Sequence, residues 1–446
     1  METKKSSLKS TLTVSLTNYL DAGAIVAGAS GLSLWKDYLG LTEGHLGFLN
    51  AISANCLGAA VGAIIGGFLA DKYGRKFIYT YNMLIYMTGV LFVVFAVNFP
   101  MLLAGFLITG ISVGVGVPAS WTYISESSEI NNRGRNIALS QMAWGVGPTV
   151  ILFLGMLLAP PTAGESGGVL FPLVKAVAGD VEGAALNVWS SRLVFASLFL
   201  VAFVAWTLQR QLDESEEWKQ SKAEGKKMST FGSFGQLLTN KINVRTILFL
   251  AGMYLTWNLV ASVMGFFQPH IFETAGGVSN ETANMLCMGQ WLIIIIGTFI
   301  FSFFVDKTNH RFLLALGLIF GLAAWVLIIG GAVNSFSGLL LFTVLWGLNS
   351  CSSVQSFYAL WGTELFPAKY RAAAQGIMFF LVRGLSAVWG IIFVYIYGEN
   401  GEGFTTAAIL MAALLVISLV IGMVGAPDTR GKSLEQITRE RYGEDL

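Results

Sequence analysis

The sequence predicts an all-α membrane protein of twelve transmembrane helices arranged as two pseudo-symmetric halves of six. Three observations predict it. The chain of 446 residues is 54% hydrophobic and only 12% charged, whereas about a quarter of the residues of an ordinary soluble domain are charged. Its apolar residues fall into twelve runs, and about 20 such residues suffice to cross a hydrocarbon core of about 30 Å. A compact charged turn, Gly67-Phe68-Leu69-Ala70-Asp71-Lys72-Tyr73-Gly74-Arg75-Lys76, also has a counterpart in the second half, from Phe301 through Asp306 and Lys307 to Arg311. Each turn follows an apolar run, with an acid at its end and bases just after.

The first run, 12–35, contains Asn18 and Asp21 and no clear cleavage site, so it reads as a span and not as a removable signal peptide. An ionised carboxylate that deep needs a partner or a water-filled cavity, which makes Asp21 the main candidate for a proton site. The second run, 43–70, carries Gly58, Gly62, Gly66 and Gly67 and leads into Asp71 and Arg75; its glycines allow close helix approach. The third and fourth runs, 76–98 and 100–125, follow, and the fourth exits at Glu126, seven residues before Arg133. The fifth, 134–160, holds Gln141 and Trp144. A polar insert over about 161–188 is assigned to the outside, and its apolar patch from Val169 to Val177 is either a short interfacial helix or a plain loop. The sixth run, 189–210, opens with Trp189 and Arg192.

Residues 211–243 break the apolar pattern with Asp213-Glu214-Ser215-Glu216-Glu217-Trp218 and the basic Lys226 and Lys227, as an amphipathic cytoplasmic linker would. Six more runs follow. Trp257 and Asn258 lie in 244–272, Gln290 in 281–305, Tyr358 and Trp361 in 336–363 and Arg383 in 372–398, while 311–334 and 403–426 are more uniformly apolar. Glu364 precedes Arg371 by seven residues after the tenth run, repeating the Glu126–Arg133 spacing. The expected organisation is therefore a first half over 1–210, a linker over 211–243, a second half over 244–426 and a cytoplasmic tail over 427–446. Lys4, Lys5, Lys9, Lys72, Lys76, Arg135, Lys307 and Lys369 all fall on one side, against Lys36, Lys175 and Arg192 on the other. Basic residues in short loops set orientation, so both termini are expected in the cytoplasm, as an even span count requires. The short loops and tails favour a bacterial inner membrane.

Several functions find no support. Cys56, Cys287 and Cys351 sit inside spans, which suggests neither a disulfide framework nor a zinc site. His45, His270 and His310 are scattered over loops and span ends, so no catalytic constellation emerges and an enzyme is not expected. No Gly-x-x-x-x-Gly-Lys-Ser/Thr loop for ATP is present. No cofactor, metal or nucleic acid is expected; the partners are a small-molecule solute, protons and membrane lipid, around a monomer.

Five features in order resemble the major facilitator superfamily, and within it the sugar-porter branch and its metabolite:proton symporter relatives. They are the 67–76 turn; Tyr123-Ile124-Ser125-Glu126 with Arg133-Gly134; the Trp189 and Arg192 pair; Glu364-Leu365-Phe366-Pro367 with Arg371; and Pro427-Asp428-Thr429-Arg430-Gly431-Lys432. The resemblance implies alternating access between two six-helix halves. Departures are also visible: the second turn has Asn309-His310 where the family has Gly-Arg, and the fourth span offers no base between Ala104 and Ile108 to face Asp21. The branch's sugar-binding glutamines have no obvious match on the seventh span, where Trp257-Asn258 occupies the neighbourhood.

The charged span ends, Asp71, Arg75, Glu126, Arg133, Asp306, Arg311, Glu364 and Arg371, are candidate gating residues; the alternative is that they anchor span ends at the headgroups as surface pairs worth about 0–1 kcal/mol. Arg383 either faces a cavity, where its planar fork suits oxygen recognition, or snorkels to an interface. Asn18, Gln141, Trp144, Trp257, Asn258, Gln290, Tyr358, Trp361 and Arg383 are candidate substrate-binding residues, because amides donate and accept while indole faces pack on C–H faces; helix–helix packing is the alternative for each. The reading is a secondary active transporter of a sugar, polyol or related polyhydroxylated solute, coupled to protons. A carrier of an organic anion, or an uncoupled facilitator, is the alternative.

Overall fold

The computed structural model describes residues 2–41, 43–52, 56–161, 167–223, 237–278, 280–352, 354–368, 371–398 and 401–443. Lys226, Lys227 and Lys369 lie outside the described residues. Regular structure is entirely helical among those described. The first half comprises α1 (Glu2–Ser30), α2 (Leu32–Leu39), α3 (Glu43–Ile52), α4 (Leu57–Tyr73), α5 (Arg75–Val94), α6 (Phe99–Ser127), α7 (Arg133–Leu157), α8 (Phe171–Ala178) and α9 (Ala184–Gln209). The linker carries α10 (Glu216–Ala223). The second half comprises α11 (Lys241–Thr274), α12 (Asn280–Ser302), α13 (His310–Ile329), α14 (Phe336–Ser352), α15 (Val354–Glu364), α16 (Arg371–Tyr397) and α17 (Phe404–Gly425), and the tail carries α18 (Leu434–Tyr442).

Ten helical stretches among the described residues are long and apolar enough to cross a membrane, with α14 and α15 counted as one. The α1 helix and the α3–α4 pair complete the twelve spans. Two spans differ from their sequence outlines. The first span's helix starts at Glu2 and breaks at Gly31, ahead of α2. The second is divided into α3 and α4, with Cys56 in a non-helical conformation just before Leu57. The patch in the outer insert is helical: α8 buries Phe171 and Val174 while Leu173 and Val177 stay exposed, the division expected of a short amphipathic helix.

Local chemistry sets several span ends. Asn98, Asn240 and Asn309 each accept a backbone N–H with their side chains at the starts of α6, α11 and α13, satisfying a donor that has no partner within its helix. Gly74 joins α4 to α5 at φ +98°, a conformation that costs glycine nothing and a side chain much.

The halves meet along α4 with α16 and α7 with α12. These are spans 2 with 11 and 5 with 8, and exchanging the halves maps one pair onto the other. Close approach depends on missing side chains: a Cβ at Gly376 of α16 would overlap the carbonyl oxygen of Ala63 on α4. A central cavity is left between the halves.

Candidate functional site: a central cavity above a cluster of charged span ends

At the face that carries both termini, the charged span ends meet across the halves. Glu126, at the end of α6, accepts from Arg75 of its own half at 2.9 Å and from Arg371 of the other half at 2.8 Å. Arg133, which opens α7, donates to Glu364 at 3.1 Å. The two Glu–Arg motifs thus exchange partners between halves. The turn acids do the same with backbone: Asp71 accepts from Ala373 N in the first turn of α16 at 2.7 Å, and Asp306 accepts from Gly134 N and Arg135 N in the first turn of α7 at 2.9 and 2.8 Å. A carboxylate there answers both the unpaired N–H groups and the positive end of the helix dipole. Burial pushes the Asp306 carboxyl above its ordinary value, against the opposing pull of those two N–H groups and of Arg133 and Arg135.

Arg311 is placed elsewhere. Its Nε and Nη2 donate to the carbonyl of Ala426 at 2.9 and 2.7 Å, holding the end of α17 instead of an acid of the charged cluster. The linker, by contrast, joins the charged cluster. Glu214 accepts from Arg75 N and Lys76 N at 3.0 and 3.1 Å, Ser215 donates to the second oxygen of Glu126 at 2.6 Å, and Trp218 donates to the Asp71 carbonyl at 2.9 Å. Nothing in the sequence placed Glu214 or Ser215 beside these span ends, although both belong to the acidic linker motif.

Above this cluster, the cavity is lined from the first half by α1 and α7 and from the second by α11, α12, α14, α15 and α16. Gln141, Trp144, Trp257, Asn258, Gln290 and Arg383 all line it. Gln355 donates to Gln141 across the halves at 2.9 Å, and the Trp144 and Trp291 rings approach within 5.8 Å. Trp257 donates to Asn349 at 2.9 Å, Asn258 to Ser386 at 2.9 Å, and Gln268 to Gln290 at 2.7 Å. Among the described residues the Gln141 Nε2 group has no hydrogen-bond partner, and its side chain belongs to the cavity lining.

Three candidates are held away from that wall. Asn18 binds the carbonyl and hydroxyl of Ser140, joining α1 to α7. Tyr358 stacks on Tyr254 with ring centroids 4.1 Å apart, and Trp361 packs on Phe357 at 5.0 Å; both are fully buried. Asp21 lies just behind the wall, accepting from Trp144 Nε1 at 2.8 Å with Arg383 Nη2 at 3.9 Å. Gln355, Trp291 and Trp346 line the cavity without having been singled out from sequence. The first two lie beside Tyr358 and Gln290, but no one-dimensional signal shows which way they turn.

The chain matches the family description "Major Facilitator Superfamily" over residues 11–391. It belongs to the major facilitator superfamily. It is similar to the minor myo-inositol transporter IolF of Bacillus subtilis (strain 168), at 42% identity over 98% of this chain and 94% of that protein. It is also similar to the arabinose-proton symporter of the same organism, at 24% identity over 93% and 90% of the two chains. Among solved structures, the proton:xylose symporter XylE bound to 6-bromo-6-deoxy-D-glucose shares the fold, with a TM-score of 0.77, 20% identity and coverage of 98% and 99% of the two chains. As a member of the superfamily the protein is a transporter and not an enzyme, and a cavity between its halves is where such folds place the solute.

Proposed function

We propose that this protein carries a cyclic polyol of the myo-inositol class across the membrane together with a proton, by alternating access between its two halves. The observation that carries the substrate class is the 42% identity, over nearly the whole chain, to a protein described as a myo-inositol transporter. The cavity supports it. Each ring hydroxyl both donates and accepts, as do the amides of Gln141, Asn258, Gln290 and Gln355, while the indoles of Trp144, Trp257 and Trp291 offer flat apolar faces for C–H groups. Asp21 supplies the proton site: it is a carboxylate on a span, next to the cavity.

The gate is read as the latch of the state with the terminal face closed. Opening that face separates Glu126 from Arg371, Glu364 from Arg133, and both turn acids from the helices they cap. We place this face in the cytoplasm, on the excess of Lys and Arg in the loops assigned to that side, and the protein in a bacterial inner membrane, on its short loops and its bacterial relatives, as the monomer that the family resemblance implies. The organic-anion alternative rested on Arg383 as an uncompensated cation. Asp21 at 3.9 Å supplies it with a counter-charge, which supports a neutral solute.

The test is uptake of labelled myo-inositol into proteoliposomes with an imposed pH gradient. Uphill accumulation, competed by inositol isomers and not by sugar acids, is the expected result. Accumulation of sugar acids alone overturns the reading.

A further inference from the structure

One helix turn from the cavity wall toward the terminal face lies a layer of side chains distinct from both the cavity lining and the charged cluster. Tyr254 precedes Trp257 by three residues on α11, Tyr358 follows Gln355 by three on α15, and Phe379 precedes Arg383 by four on α16. Each is about one turn nearer the terminal face than its cavity residue. Trp121, on α6 five residues before Glu126, is the layer's member from the first half. Its ring meets Tyr358 edge-on at 5.9 Å and 83°, and Phe379 at 6.1 Å and 76°, while Tyr358 stacks on Tyr254. Gln375 stands four residues before Phe379 on the same face of α16 and lies against Gly362 of α15, where a Cβ would overlap its amide.

Trp121, Tyr254, Tyr358 and Gln375 are at most 1% exposed. Among the described residues, Trp121 Nε1, Tyr254 Oη, Tyr358 Oη and both amide atoms of Gln375 have no hydrogen-bond partner. Each such group costs free energy that a Phe, Leu or Met of similar shape would avoid, so packing alone does not account for these residue types. The layer also crosses the halves. Trp121 belongs to the first and the others to the second, so opening the terminal face parts Trp121 from Tyr358 and Phe379 and uncovers the orphaned groups along the way out of the cavity. We propose that Trp121, Tyr254, Tyr358 and Gln375 form a second binding station for the polyol, shut while the terminal face is closed and filled as the solute passes between the central cavity and that face. The inference rests on the polyol reading of the cavity and adds a further site for the same solute. Its chemistry repeats that of the cavity: the amide and the two phenols donate and accept, the indole donates, and the ring faces cover C–H groups. None of its members is charged at pH 7, which suits a neutral solute. A departing polyol thus exchanges one set of hydrogen bonds for another where an all-apolar layer would offer none.

The experiment uses the full-length protein in proteoliposomes, with a diazirine-bearing myo-inositol as the probe, photolysed while the solute exchanges across the membrane so that every state is visited. Adducts mapped by mass spectrometry should fall at two places, the cavity around Gln141 and Trp257 and the layer around Trp121 and Gln375, and excess myo-inositol should suppress both. The α6 adduct is diagnostic, because the cavity wall is drawn from other helices. Adducts confined to the cavity residues would overturn the proposal. Tyr358→Phe and Gln375→Leu then remove the polar atoms and keep the bulk. In each, the half-saturating concentration for efflux should rise about fivefold relative to that for uptake, the loss of one hydrogen bond on the terminal side. A raised melting temperature with unchanged half-saturation in both directions would reduce these groups to packing, and an equal rise in both directions would assign them to the central site; either overturns the proposal. Failure of the unsubstituted protein to transport myo-inositol or to take any suppressible adduct would instead overturn the functional reading on which the station rests.

Discussion

Glu126 receives two guanidinium groups and one hydroxyl on its two oxygens, so the charge at this one position holds both α5 and α16. In water such pairs would count for little. Here the Glu126, Arg75 and Arg371 side chains are at most 1% exposed, and removing one member leaves desolvated charge behind, at about 3–5 kcal/mol. Glu126→Gln should therefore shift the resting state toward opening at the terminal face. In a variant lacking the native cysteines, Ala368→Cys reports it, since the Ala368 carbonyl lies 3.5 Å from Arg75 Nη2. Its labelling by a membrane-impermeant thiol reagent should speed up at least tenfold when Glu126→Gln is added. An unchanged rate would mean that the remaining pairs hold the face shut alone. These acids and bases were legible as candidates because charge is scarce in this chain. Their partners were not, because the chain separates Arg371 from Glu126 by 245 positions.

At the scale of elements, the closed face is a pair of helix crossings, α4 on α16 and α7 on α12. The α4 helix also packs on α6, where a Cβ at Gly62 or Gly66 would overlap the Ile111 or Val115 backbone. The glycine pattern of the second span was visible in the sequence, but not which neighbour each glycine served. Gly376 shows the difference: it meets α4, from the other half. Gly376→Val should pry α16 from α4 at an overpacking cost of about 1–3 kcal/mol, borne by the closed state and not by either half alone. The distance between spin labels placed on the two halves at the terminal face should lengthen, while the melting temperature falls little. A large loss of melting temperature with unchanged distance would place the strain within a half. The linker is a second lesson at this scale. Its composition marked it as polar and exposed, yet Glu214 caps α5 and Trp218 reaches α4.

For the whole molecule, the cavity is asymmetric: two helices of the first half and five of the second line it. The Gln355–Gln141 hydrogen bond joins the two halves at its wall, and the Gln141 Nε2 group, which has no hydrogen-bond partner among the described residues, can offer a polyol a donor belonging to the opposite half from most of the wall. Gln141→Ala should raise the KM for myo-inositol about tenfold, the loss of one hydrogen bond worth about 1.4 kcal/mol, with folding intact. Initial-rate uptake in proteoliposomes measures it. An unchanged KM would assign Gln141 to packing.

Composition, the twelve apolar runs and the repeated charged turns determined that this chain is a two-part helical membrane transporter, because the lipid solvent leaves few ways to satisfy a backbone and scarce charge marks the ends of spans. Tertiary structure decided the rest. It turned Tyr358 and Trp361 into the core and Gln355 into the cavity, sent Arg311 to the end of α17, and set Arg383 beside Asp21. Each depends on the rotation of one helix against another, and in spans apolar on nearly every side that rotation is fixed by packing between halves and not by local periodicity.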